Sequence, residues 1–505
     1  MCLLFFITAG IFFNNAYLKV SEVNYIIFSI VLVFSLKSFL DRLLTSLILL
    51  MTLALVVLFT LDNTFLLFAE LLGLWAVIYK KELSKRHVIF GIIASSFLLH
   101  LFFIDKISID LFQHDLSGTR LYMSLIIDGG INWKNFDPWY MYYLFHQPLH
   151  FIILESIYLF EESVWQSHLL ADEGLQYLSL LYVSMTTIFI AKILLELKIK
   201  KNVFYIVLAL VAFNPTLTLF SAYISDDVPV LFWSSGLFYF VIRWYKSNST
   251  KSIALSAIFL GFGCLSKLSI LLAVPSIIWI FLIKLLHSSD RAKVIKDISL
   301  FIIITVPLSL VWIIRNHILF DMQFYNIPDT SPLGQNFNYL TLWDRLTDFS
   351  MINKPFIDAP YIADSNIFLA IIKTELFGEW DFSKINKNIY YFAILLYYIS
   401  IALKILILWG MFYIIYNKKI AQKNIALMFI ILYLSSLIYA LRYAMAYPYI
   451  CSTDYRLFTL LMVSEASILA YFANKNNMAE KLLSAILGIY IILSSIIYIL
   501  VALSV

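Results

Sequence analysis

Apolar runs long enough to cross a bilayer recur along this 505-residue chain, and that recurrence decides what solvent it folds in. About 20 helical residues, each rising about 1.5 Å, span roughly 30 Å of hydrocarbon. About fifteen such runs can be placed, at 2–18, 23–36, 43–61, 63–79, 88–105, 173–197, 202–222, 228–245, 252–266, 268–286, 298–317, 388–416, 424–444, 457–473 and 482–503. With 62% hydrophobic and 13% charged residues, the chain has too little polar surface to cover itself in water. Each run is read as a helix, because a helix satisfies its own backbone hydrogen bonds in lipid. The expectation is an all-α polytopic membrane protein of about 13–15 transmembrane helices.

Met1 to Tyr17 lacks a leading positive charge and a small-residue cleavage site, so it reads as a spanning helix rather than a signal peptide. With the N-terminus inside, every second connection is basic: Lys37/Arg42, Lys80/Lys81/Lys85/Arg86, Lys198/Lys200/Lys201, Arg243/Lys246/Lys251, Arg291/Lys293/Lys296, Lys418/Lys419/Lys423 and Lys475/Lys481. That alternation is the positive-inside pattern, and it puts the long connections 106–172 and 318–387 on the extracytoplasmic side of a cytoplasmic membrane. The net charge of +4 is thus spent on orientation, and nucleic-acid binding gains no support. Cys2, Cys264 and Cys451 are scattered, which suggests neither a disulfide framework nor a thiolate metal site.

The two long connections alone have room for a hydrophilic catalytic layer, and each is expected to contain amphipathic helices lying on the membrane. The chain then divides into an N-terminal transmembrane extension (1–86), a transmembrane module with the first outer loop (87–317), the second outer loop (318–387) and C-terminal helices (388–505).

Several groups along these loops are capable of chemistry. His114 and Asp115 follow the fifth run. A carboxylate just outside a helix end stays ionised and can take a proton from an acceptor hydroxyl, while a solvated loop aspartate is the plainer reading. His146 and His150 flank Gln147-Pro148-Leu149. Four apart, they suit one helix face and a metal, but Pro148 disturbs that turn and interfacial packing competes. Asn214-Pro215 interrupts the seventh run, and Asp226 and Asp227 open the eighth, where a helix dipole favours carboxylates and burial beside spanning segments favours a cavity. Lys267, Arg315 and Arg456 are outer-face cations suited to phosphate oxygens, membrane-edge anchoring being the alternative for each.

In their order, these pieces resemble the GT-C superfamily of membrane glycosyltransferases, in particular the polyprenyl- or dolichyl-phosphate-sugar group with the protein mannosyltransferases and lipid A aminoarabinose transferases. Matching elements are His114-Asp115, His146 to His150, Asn214-Pro215, Ser225-Asp226-Asp227, Gly261 through Lys267, Trp312 through Asn316, and Tyr455-Arg456, within roughly residues 100 to 475. His114 stands where several members have an acidic residue, Gln147 replaces a usual proline, and Asp226 sits where asparagine is common. About four extra helices precede the aspartate loop, where the family usually has one.

The resemblance implies a GT-C-like helical bundle that transfers a sugar from a polyprenyl-phosphate donor to a glycan, lipid or protein acceptor, with inversion. It implies Asp115 as base, aided by His114, and Asp227 as a second carboxylate. Lys267, Arg315 and Arg456 are implied for the donor phosphate, and Asp226, His146 and His150 for support of the acceptor or its loop. A divalent metal ion on Asp115 and Asp227 is the one cofactor contemplated. Rival readings are a transporter or lipid flippase, a glycan polymerase or ligase, and a non-catalytic assembly subunit. A transporter would show paired halves and midplane charges rather than polar residues gathered in two outer loops.

Overall fold

The computed structural model describes residues 85–129, 134–140, 142–166, 168–322, 337, 339–357, 364–417 and 422–505. The four apolar runs expected before residue 80, and with them most of the N-terminal extension, lie outside the described residues. From residue 88 onward, each of the eleven expected runs is helical.

The first described helix, α1 (Lys85–Lys106), leads into the first long connection, which holds α2 (Leu116–Gly129), a 3-10 turn at Tyr142–Phe145 and α3 (Leu149–Trp165). Then follow α4 (His168–Glu196), α5 (Lys201–Ala212), α6 (Pro215–Ala222), α7 (Val228–Ser247), α8 (Thr250–Ser266), α9 (Val274–His287) and α10 (Arg291–Phe320). The second connection carries the short α11 (Leu342–Thr347) and α12 (Ile367–Phe377). The C-terminal helices are α13 (Ile389–Tyr416), α14 (Lys423–Ala446), α15 (Leu460–Lys475) and α16 (Asn477–Ser504). Among the described residues seven helices are long and apolar enough to cross a membrane, and nine if each of two bent pairs is one span.

Helix α7 packs between α4 and α8, α8 packs on α10, and α13 packs on α15 and α16. The apolar window of α1 is 83% buried and that of α10 only 28%, so α1 lies inside the bundle and α10 on its perimeter. Ile302, Ile303 and Val306 of α10 stand exposed, as a lipid-facing surface requires.

The helical path is interrupted at three places. The 202–222 run, expected as one helix, breaks into α5 and α6 with a 41° bend, because Pro215 has no N–H to donate to the preceding turn. Asn214 caps the new helix, its side chain accepting from Thr216 N at 2.9 Å, and the freed Phe213 carbonyl accepts from Ser494 at 2.8 Å. Lys267 lies in extended backbone between α8 and a 3-10 turn at Leu268–Ala273. Before α15, the turns Ile450–Thr453 and Tyr455–Phe458 make a 57° bend. Non-helical backbone at such depth persists only where protein or a cavity encloses it. Residues 223–227, Lys267 and residues 454–459 meet, as described next.

Candidate active site

The segment Tyr223–Asp227, between α6 and α7, is fixed from several sides. Gln113 straps it to the loop before α2: its Nε2 donates to the Ala222 carbonyl at 2.7 Å, and its Oε1 accepts from Ile224 N at 3.1 Å. From α4, Gln176 donates to the same Ala222 carbonyl at 3.0 Å and Ser179 to that of Tyr223. From α3, His150 Nε2 donates to the Ile224 carbonyl at 3.1 Å. A carbonyl only accepts, so that nitrogen carries the hydrogen.

On this scaffold an ion network assembles. Asp226 sits between His146 Nδ1 at 2.8 Å and Lys267 Nζ at 3.0 Å. Lys267 also pairs with Asp227, whose second oxygen accepts from the Ser225 hydroxyl at 3.0 Å. Arg456 Nη1 continues the chain, 3.6 Å from Asp227 Oδ2 and 2.7 Å from Asp115 Oδ2, while its Nε is 3.1 Å from Asp454 Oδ2. The 3-10 turn that presents Arg456 is itself capped by Asp454, whose Oδ1 accepts from Arg456 N at 3.1 Å.

Asp115 is the open end of the network. Its side chain is 41% exposed, while that of Asp227 is 1% exposed. It holds φ +61, a left-handed backbone that aspartate tolerates better than most residues, and its carbonyl starts α2 by accepting from Thr119 N. Burial pushes its carboxyl up, but the charge and hydrogen bond of Arg456 outweigh this and hold it below the usual carboxylate range. Burial likewise raises Asp226, and Lys267 and His146 together bring it below its ordinary value.

His114, next to Asp115, points the other way. It lies against Trp380, 5.3 Å between rings at 31°, with the Tyr223 ring edge-on at 5.3 Å. Its Nδ1 is 3.8 Å from Glu379 and its Nε2 3.7 Å from Asp454. Burial, then the charge of Arg456, holds its imidazole well below the usual range. Burial and the neighbouring Asp454 push the Glu379 carboxyl up to about 8.

The fold thus gathers Asp115, Asp226, Asp227, Lys267, Arg456 and His146 in one network, with His150 behind the loop and His114 on its flank. Between Asp115 and Asp227, the pair first considered for a metal, stands the Arg456 guanidinium. Arg315 is engaged elsewhere: stacked 4.4 Å from the Trp312 ring and 4.5 Å from that of Phe320, it donates to the Phe136 carbonyl at 2.5 Å. It pins the 134–140 segment to α10. Sequence reasoning gave no role to Gln113, Glu379 or Asp454. Asp454 was open to discovery as a carboxylate two residues before a candidate arginine; Gln113 and Glu379 carry no local pattern.

Residues 147–324, about a third of the chain, match the family model described as dolichyl-phosphate-mannose-protein mannosyltransferase. The crystal structure of ArnT from Cupriavidus metallidurans in the apo state is similar over 71% of this chain and 70% of that one, at 11% identity and a TM-score of 0.31. No curated protein sequence matches. The matched segment carries the Gln147–His150, Asn214-Pro215, Asp226-Asp227, Lys267 and Arg315-Asn316 elements in one stretch, and over it the chain is similar to that family of membrane glycosyltransferases.

Proposed function

We propose that this protein transfers a sugar from a polyprenyl-phosphate donor to an acceptor hydroxyl on the extracytoplasmic face, in one inverting displacement with Asp115 as base. The contact between Asp115 and Arg456 carries this reading. A single displacement needs a proton acceptor and a phosphate-binding cation within a few ångströms of one anomeric carbon, and this pair supplies both.

The acceptor oxygen bonds to the anomeric carbon as its proton passes to Asp115. The bond from that carbon to the phosphate oxygen breaks, and the electron pair leaves with the polyprenyl phosphate. Arg456 and Lys267 stabilise the charge on that phosphate. Asp226, His146 and His150 hold the 223–227 loop, and Asp227 keeps the two cations apart. In the free protein Arg456 lowers the basicity of Asp115. A donor phosphate competing for the guanidinium restores it, so the base becomes effective when the donor is in place.

The test is transfer of radiolabelled sugar in membranes supplied with a panel of prenyl-phosphate sugars, comparing wild type with Asp115→Asn at equal expression. Transfer by wild type alone upholds the reading. Retained transfer by the variant removes Asp115 as base, and no transfer by wild type with any donor removes the function. Labelling of single cysteines within 106–172 from outside the cell tests the face.

A further inference from the structure

We propose that His146, besides holding the 223–227 loop, is a catalytic acid that gives a proton to the donor phosphate as it departs. This rests on the reaction proposed above, and it adds an acid at the leaving group to the base at the acceptor.

The backbone of His146 is set from several sides. Its N–H donates to the Tyr143 carbonyl at 3.1 Å, and its carbonyl accepts from the Tyr122 hydroxyl of α2 at 3.1 Å. Trp312 of α10 donates to the preceding Phe145 carbonyl at 3.2 Å, and the Tyr143 ring lies 5.4 Å from the imidazole at 30°. The 3-10 turn, α2 and α10 together fix where this imidazole stands.

The two ring nitrogens have different surroundings. Nδ1 lies 2.8 Å from Asp226 Oδ2, and an ionised carboxylate only accepts, so Nδ1 carries a hydrogen. Nε2 has no hydrogen-bond partner among the described residues and is not sealed from water, the side chain being 27% exposed. A buried carboxylate on one nitrogen, with the other nitrogen open to a ligand, is the pairing by which a histidine moves protons. The carboxylate fixes the tautomer and supports the charge of an imidazolium. Asp226 is itself buried, and Lys267 on its other oxygen holds it in line with the ring.

Position in the network decides which proton the imidazole moves. The contacts run in order from Asp115 to Arg456, Asp227, Lys267, Asp226 and His146. The two cations assigned to the phosphate therefore stand between the base and this imidazole. Asp115 serves the acceptor end, and His146, next to Lys267 through Asp226, serves the phosphate end.

In the transfer step the acceptor proton goes to Asp115, and the bond from the anomeric carbon to the phosphate oxygen breaks. The Nε2 proton passes to the oxygen released, so the prenyl phosphate departs as a monoanion instead of a dianion. Water then returns a proton to His146 and takes one from Asp115. Imidazoles and the second ionisation of phosphates titrate close together, at about pH 6–6.5, so a proton passes between such groups at little cost.

The experiment compares wild type, His146→Gln and Asp115→Asn in membranes with two donors. One is a prenyl-phosphate sugar from the panel above; the other has sulfur in place of the oxygen between sugar and phosphorus. Glutamine keeps an amide donor for Asp226 but has no proton to give. With the oxygen donor His146→Gln is expected to lose on the order of 10²–10⁴-fold in kcat, with donor KM little changed. With the sulfur donor, whose leaving group departs without a proton, that deficit should largely vanish, while Asp115→Asn stays inactive on both. An equal deficit on both donors at a wild-type melting temperature, or a loss in KM alone, overturns the role. If glutamine lowers the melting temperature, His146→Ala takes its place, and free imidazole must restore turnover on the oxygen donor or the inference falls. Transfer that needs Asp115 but not His146 keeps the reaction and loses this acid; no transfer by wild type with any oxygen donor loses both.

Discussion

Arg456 Nη1 and Asp115 Oδ2 meet at 2.7 Å across 341 residues of chain, joining the loop after α1 to the bend before α15. The same guanidinium faces Asp227 and Asp454, so three carboxylates from three elements share one planar fork. A lysine ammonium at this position is a point charge and cannot reach all three at once. Arg456→Lys is therefore expected to lower turnover on the order of 10²–10³-fold, the usual cost of losing one well-placed charge-stabilising donor. Arg456→Gln should lose at least as much. Single-turnover transfer with saturating donor measures this, and an unchanged Arg456→Lys rate would remove Arg456 from the phosphate site.

Lys267 balances two adjacent buried carboxylates, Asp226 and Asp227. Lys267→Met leaves both in a poorly solvated loop, and loss of one partner from a buried ion pair costs about 3–5 kcal/mol. A large drop in melting temperature is expected, with part of it recovered by Lys267→Met combined with Asp227→Asn, which removes one of the stranded charges. If the double variant melts no higher than the single, the lysine is not balancing that pair.

The helices were legible in the sequence because about 20 apolar residues in lipid have few alternatives to a helix. The interruptions were less so. Pro215 carried the signal for its break although the run was read as one helix, whereas the bend before α15 has no proline and arises where Asp454 caps a 3-10 turn. The network was legible as parts: Asp115, Asp227, Lys267 and Arg456 each stood out as charges at the ends of apolar runs. That Asp115 pairs with Arg456 is a fact of helix packing, and no local pattern encodes a contact across the chain. Arg315 shows the limit from the other side, since its place after Trp312 fits phosphate binding and stacking on that ring equally well.

Gln113 acts on the site only through backbone, holding Ala222 and Ile224. Gln113→Leu keeps the bulk and deletes both bonds, each worth about 0.5–1.5 kcal/mol net. The expected result is a small thermal shift with a larger fall in turnover, because His114 and Asp115 follow directly and lose their register against the 223–227 loop. Equal losses in stability and rate, or no loss in rate, would deny Gln113 this positioning role.

Below the network, Lys404 of α13 touches two carboxylates, Glu375 of α12 at 2.6 Å and Glu465 of α15 at 2.6 Å. The three line a cavity of about 50 Å³ with Asn214 and Tyr490. Asn214 donates to Glu375 Oε1 at 3.3 Å, so the trio ties the α5–α6 break to three other helices. The Tyr455 ring lies 5.8 Å from the ammonium, with Asp454 and Arg456 on either side of it in the chain. Lys404→Met strands two carboxylates inside the bundle and should destabilise it by about 3–5 kcal/mol. Adding Glu375→Gln and Glu465→Gln replaces the charges with neutral groups of similar shape and should restore most of the melting temperature. Because Tyr455 is the link to Arg456, the triple variant is also expected to recover transfer activity. A triple variant that melts like wild type yet stays inactive would show that the trio serves the reaction by its charge, rather than by holding the turn that presents Arg456.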